Sequence, residues 1–290
     1  MVLLCATSIL GMLPQQPSAG HASVLFTVTD SAGRYISGLT KEDFRILQDG
    51  KLRPITSVDY KEDAPLSIEV LFDPRASKND QLMPGLDVAK QFLRLTLKNG
   101  IDNASVTLVD RPDVTIQEPT TNLVVLEVAI DRIAGRRPSR GGPLSDAIAS
   151  AAKRLSGAPG RRVIFLVNAG RVGPLKDTIQ TLRENHVPLY VVHGKETYLD
   201  SDSVMESGEP LRKVSEGTGG IAHLHDPRVG SIEAALKRMA TELKYQYAVT
   251  FQSETGISPE KAAKVRIEVT RQDANRKDLT VRQSDYYPAK

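Results

Sequence analysis

The sequence is short of cysteine, tryptophan and net charge, and each shortage closes off a class of function. Its 290 residues include one cysteine, Cys5. Cys5 lies inside an apolar N-terminal stretch, so a mature chain lacking that stretch would contain no thiol and no disulfide. There is no tryptophan, and aromatic residues make up only 5% of the chain, which leaves few rings on which nucleic-acid bases could stack. Basic and acidic residues number 38 and 35, a net charge of +3, so no polyanionic partner is expected. No apolar run approaches the roughly 18 residues that suggest a membrane-spanning helix. Catalytic signatures are missing as well. The sequence has no Gly-x-Ser-x-Gly elbow and no His-Glu-x-x-His, and neither a P-loop nor a Gly-x-Gly-x-x-Gly follows the first buried strand. An enzyme is therefore not expected, and no cofactor is assigned.

What is present begins with residues 2–13, an apolar stretch of export-signal length followed by Pro14, Pro17 and small residues through Ala22, with no basic residue after Met1. Residues 1–22 are expected to be a signal segment, the only link to a membrane, placing the protein in the periplasm or outside the cell. If the segment is not a functional signal, the protein stays in the cytoplasm.

Residues 23–62 alternate apolar and polar positions, with turn residues at Asp30 to Gly33 and a hairpin signal at Asp49-Gly50 between Ile46 and Ile55. From Pro65 the texture changes. Ile68, Val70, Leu71 and Phe72 form a run broken only by Glu69, and residues 163–167 and 189–192 repeat the pattern, as strands covered on both faces do. Leu144, Ile148, Ala151 and Leu155 recur at helical spacing, as do Ile232, Leu236, Met239 and Leu243. Alternating strands and helices predict a doubly wound α/β domain over residues 66–245, its mainly parallel sheet flanked by helices on both faces. Residues 246–290 return to strand character and are expected to pack with residues 23–62 as a small β-rich lobe.

Several segments carry a resemblance. They are "VTDSAGRYISGLTKEDFRILQDGKLRPITSV" at residues 28–58, "APLSIEVLFD", "SRGGPLSDAI", "RRVIFLVNAG", "LRKVSEGTGG" and "YQYAVTF". Together they resemble the VWFA-related acidobacterial domain family, a branch of the von Willebrand A-like proteins. The resemblance covers most of the chain and implies a bacterial protein-binding module. It also implies a metal-ion-dependent adhesion site: Asp-x-Ser-x-Ser after the first parallel strand, a threonine from a later loop and an aspartate after the fourth strand. The matching positions here are Asp73, Arg75 and Ser77, then Pro143 and Asn168. Asp73 and Ser77 are vestigial ligands, while a guanidinium, a proline and a neutral amide stand where hard oxygen donors are needed. No metal is expected. Either Arg75 replaces the cation, pairing with Asp73 or receiving a partner carboxylate, or the site has decayed to a structural ion pair.

The expected docking residues are Asp73, Arg75, Ser77, Asn168 and Arg140, with a protein as partner. Arg140 belongs to a basic segment with Arg136 and Arg137, which reads as a solvated loop beside the site more readily than as a phosphate grip. Two other outcomes remain open: a scaffold whose contacts are made by the β lobe, and a cytosolic enzyme with an unrecognised site. His223 and His225 could share a strand face, but no third zinc ligand stands nearby. His186 and His193 are explained by capping or packing.

Overall fold

The computed structural model describes residues 20–60, 64–76, 79–136, 139, 141–167, 175–192, 201–224, 231–253, 264–270 and 279–283. The chain opens with β1 (Gly20–Thr29), a 3-10 turn at Lys41–Asp43, β2 (Phe44–Gln48), β3 (Lys51–Arg53) and β4 (Ile55–Tyr60). Asp49 and Gly50 join β2 to β3, both at positive φ (50° and 79°), the conformation that a two-residue hairpin of right-handed strands requires. The sequence pattern runs on to Ile55, but Pro54 divides the segment. β3 stays with β2, and β4 crosses to another sheet, because proline has no N–H to offer the ladder.

The central body follows: β5 (Leu66–Phe72), α1 (Asn79–Thr96), β6 (Asn103–Leu108), β7 (Arg111–Thr120), α2 (Leu123–Asp131), α3 (Leu144–Leu155), β8 (Arg161–Val167), α4 (Lys176–Glu184), β9 (Leu189–Val192), α5 (Ser201–Gly217), β10 (Ala222–His223) and α6 (Ile232–Lys244). Its strands form one sheet in the order β10-β9-β8-β5-β6-β7, parallel except where β7 pairs antiparallel with β6 at the edge. This is the expected doubly wound α/β architecture. The pleat sends alternate side chains to opposite faces. Ile68, Val70 and Phe72 of β5 therefore join α1, α2 and α6 in one core, while Leu71 joins α3, α4 and α5 in the other. Glu69 points to the second face and is buried (1% exposed). Arg154 of α3 satisfies it, with Nε donating to both carboxylate oxygens at 3.1 and 3.2 Å. The interruption in the apolar run is thus one half of an ion pair between central strand and helix.

The last strands are β11 (Tyr247–Ser253), β12 (Val265–Val269) and β13 (Thr280–Gln283). They interleave with the N-terminal ones in two sheets, β13-β1-β11-β4 and β12-β2-β3. Between the sheets lie Phe26, Phe44 and Tyr247, whose rings meet edge-on or stacked at 5.1 and 5.2 Å. The lobe is tied to the α/β body through Glu242 of α6, which is fully buried. Tyr190 Oη donates to its carboxylate at 2.8 Å and Tyr35 Oη at 3.4 Å. Arg282 of β13 pairs with the same carboxylate and donates to the carbonyls of Gly220 and Gly219 at 2.8 and 3.2 Å.

Candidate functional site

The carboxyl edge of the six-stranded sheet is where a doubly wound fold presents its binding loops. β5 ends there, wedged between β8 and β6: the Asp73 N–H donates to Val167 O at 3.1 Å, and the Val109 N–H donates to Phe72 O at 2.9 Å. Asp73 is completely buried. The chain then turns through the short 3-10 segment Pro74–Ala76, which folds Arg75 back over its neighbour. The Arg75 backbone N–H and Nε donate to Asp73 Oδ1 at 3.1 and 2.9 Å, and Nη2 donates to Oδ2 at 3.2 Å. The third nitrogen, Nη1, donates across the edge to Gly142 O at 2.8 Å.

One guanidinium thus closes both carboxylate oxygens and the loop before α3. Hydrogen bonding to Asp73 raises the Arg75 pKa above its ordinary value against the effect of burial, with further help from the charges of Asp73 and Asp110. The arginine is a permanent cation here. Its side chain keeps 25% of its surface exposed, against 1% for Asp73. One N–H on each terminal nitrogen has no acceptor among the described residues.

A second anchor comes from Asp110, just past β6, which the sequence pattern did not single out. Asp110 Oδ2 accepts from the Ser139 N–H at 2.6 Å, and its backbone carbonyl accepts from Ser139 Oγ at 3.1 Å. Its Oδ1 is buried with no hydrogen-bond partner among the described residues. Gly141, at φ +39°, packs so closely that a Cβ there would lie 2.3 Å from the Asp110 carbonyl oxygen. A glycine is required at that contact. The only sequence hint was the Ser-Arg-Gly-Gly run itself, and its target across the sheet edge was not readable. Pro143 N-caps α3 and contributes no side-chain hydrogen bond.

Of the residues expected at the site, the structure brings Asp73 and Arg75 together, whereas Ser77, Asn168 and Arg140 lie outside the described residues. Arg136 is exposed. His223 is buried on β10, with His225 and His193 outside the described residues. His186 follows α4 at φ 52°, and burial, aided by Arg162, lowers its pKa. Among the described residues no three His, Cys, Asp or Glu side chains converge as a metal-ligand set.

No protein-family model and no curated protein matches the sequence. Solved structures similar to it include an aerotolerance-related membrane protein from Bacteroides fragilis, at 13% identity and TM-score 0.46 over 61% of this chain and 98% of that one. A von Willebrand factor type A protein from Catenulispora acidiphila is 12% identical, with TM-score 0.43 over 93% of this chain and 75% of that one. The chain's own topology is the doubly wound α/β one described above. A third similar structure, proximal thread matrix protein 1 from the mussel byssus with a zinc-occupied metal-ion-dependent adhesion site, is 13% identical, with TM-score 0.43 over 66% of this chain and 48% of that one. The carboxyl edge of this chain's sheet carries the Asp73–Arg75–Gly142 linkage. No described helix is long and apolar enough to cross a membrane.

Proposed function

We propose that this protein is an exported, non-enzymatic interaction module that docks a protein partner at the carboxyl edge of its parallel sheet, with the Arg75 guanidinium in place of a metal ion. One observation carries the proposal: Arg75 engages both oxygens of Asp73 while holding Gly142. A divalent cation needs anionic oxygens to offset its dehydration. Here the one retained carboxylate is neutralised by a fixed positive charge within hydrogen-bond distance, and Pro143 supplies no side-chain oxygen. The described residues do not fit Mg²⁺ or Mn²⁺. The two remaining guanidinium N–H groups suit a partner carboxylate, with Ser77, Asn168 and Arg140 proposed to complete the surface.

Calorimetric titration of the purified protein with Mg²⁺ or Mn²⁺ is expected to show no saturable heat. Micromolar binding that disappears in Asp73→Ala would overturn the metal-free site. The scaffold alternative has its own support, because Asp73 already neutralises Arg75 and leaves the ion pair a structural role. Arg75→Glu tests the choice against Arg45→Glu on the exposed face of β2. Partner capture lost with the first change and kept with the second favours docking at the sheet edge; the opposite pattern favours the lobe.

Export is proposed from the N-terminal apolar stretch. β1 begins at Gly20 and Ala22 is completely buried, so processing that spares this strand falls at or before the Ala19–Gly20 bond, three residues short of the 1–22 segment expected from the sequence. Mass spectrometry of the mature protein is expected to show an N-terminus no later than Gly20.

A further inference from the structure

The turn between α1 and β6 lies at the amino edge of the six-stranded sheet, opposite the Arg75 edge. The N–H groups of Ile101 and Asp102 converge on Lys98 O at 3.1 and 3.0 Å, which leaves Asn99 and Gly100 at the tip. Both are exposed. Gly100 has φ +77°, and a Cβ added there would meet nothing within 4 Å. Neither the Asn99 side chain nor the Gly100 N–H has a hydrogen-bond partner among the described residues.

Every other asparagine whose side chain is described is occupied. Asn103 Nδ2 donates to Ser67 Oγ at 3.1 Å, Asn122 Oδ1 accepts from the Val124 and Val125 N–H groups at 3.0 and 3.3 Å, and Asn185 Nδ2 donates to Thr181 O at 2.7 Å. Each is followed by a residue whose side chain crowds the next backbone nitrogen: Ala104, Leu123 and His186. Among them Asn99 alone combines a free amide with a glycine neighbour.

An exposed amide carbon beside an unhindered, unbonded backbone nitrogen is open to attack by that nitrogen. Hydroxide takes the Gly100 N–H proton, and the nitrogen bonds to Asn99 Cγ. The bond from Cγ to the side-chain nitrogen breaks, and ammonia leaves with a proton from water, which regenerates hydroxide. Water then opens the cyclic imide at either carbonyl, giving aspartate or isoaspartate, in which the main chain runs through the former side chain. One ammonia is exchanged for one water, with no oxidant or reductant. The same turn holds Asp102, which is buried. Its carboxylate accepts from the Leu66 N–H at 2.8 Å and the Lys98 N–H at 2.7 Å, fixing the first residue of β5 to the chain just past α1. Isoaspartate at position 99 inserts one more main-chain carbon into the span that Lys98 O closes, and adds a second carboxylate to the turn.

We propose that Asn99 is a site of spontaneous modification, converted through attack by the Gly100 nitrogen, and that the isoaspartate formed loosens the Asp102 anchor of β5. The Asp49–Gly50 turn is the contrast: Lys264 holds the Asp49 N–H at 2.9 Å and Oδ1 at 3.0 Å, so the carboxyl of that pair is already engaged.

The test ages the purified full chain in warm, mildly alkaline buffer beside a urea-unfolded sample. Peptides are then mapped by mass spectrometry and by enzymatic methylation of isoaspartate. Asn99 is expected to convert in the folded chain at least about tenfold faster than Asp49 or any other described asparagine. Asn99→Gln changes an exposed side chain, so the fold is retained, as circular dichroism can verify. It is expected to abolish the product, because its imide ring is one atom larger. Gly100→Ala, which covers the attacking nitrogen, is expected to slow conversion by about tenfold or more. The aged protein is expected to show an earlier urea midpoint and aged Asn99→Gln an unchanged one. An Asn99 that stays intact in the folded chain, whether or not the unfolded sample converts, overturns the site. Conversion with an unmoved midpoint, or a shift that Asn99→Gln shares, overturns the link to Asp102.

Discussion

Replacing Glu242 by alanine is expected to lower stability by about 3–5 kcal/mol, seen as an earlier urea midpoint with an unchanged slope. Glu242 is fully buried and is the common acceptor for Tyr190, Tyr35 and Arg282. Its removal strands a guanidinium and two phenol hydroxyls at the junction between lobe and α/β body. Arg282 keeps the carbonyls of Gly219 and Gly220 and about a third of its side-chain surface, 30%, which places the cost toward the lower end of that range. Glu242→Gln retains an acceptor oxygen and should cost less. A Glu242→Ala penalty below about 1 kcal/mol would mean that the buried carboxylate does not hold the two units together.

The same cluster sets an alkaline limit. Burial pushes the Tyr190 phenol up to about 12 from an ordinary value of 10.0. In the unfolded chain this tyrosine ionises near its ordinary value, whereas in the folded protein it keeps its proton. Its contribution is therefore fully present below pH 10 and is lost as pH rises from about 10 to 12. Denaturation curves at pH 9 to 12 should show this loss, and Tyr190→Phe should flatten that part of the profile.

The second large effect is expected at Gly160, at the start of β8. Its φ is +70°, and a Cβ there would lie 2.0 Å from the Pro65 carbonyl oxygen. That carbonyl accepts from the Arg161 N–H at 2.7 Å, so it belongs to the pairing of β8 with β5. Gly160→Ala must therefore either break the hydrogen bond or shift one central strand against the other. The expected cost is about 2–4 kcal/mol, joining left-handed backbone strain to overpacking. Gly33 provides the control, because its φ is +75° and a Cβ added there would meet nothing within 4 Å; Gly33→Ala carries the backbone strain alone, about 1 kcal/mol. Equal penalties at the two positions would remove the crowding argument.

Much of the architecture could be read locally. The alternating four- and three-residue spacing of Leu144, Ile148, Ala151 and Leu155 becomes the buried face of α3, and Leu236, Met239 and Leu243 do the same in α6. Asp49-Gly50 makes the hairpin it signals. The continuous apolar runs become strands covered on both faces. Pro54 was in plain view, but that it sends β4 to another sheet depends on β11, almost 200 residues later in the chain.

What the chain determined by itself was periodicity and turn chemistry, since each depends on neighbouring residues or on residue type. Only the tertiary structure decided that Glu69 meets Arg154, that Asp110 and Arg75 hold the loop before α3 from two sides, and that α2 leaves three valines uncovered. Those outcomes come from contacts between segments far apart in sequence. No local pattern encodes which distant partner a side chain will find.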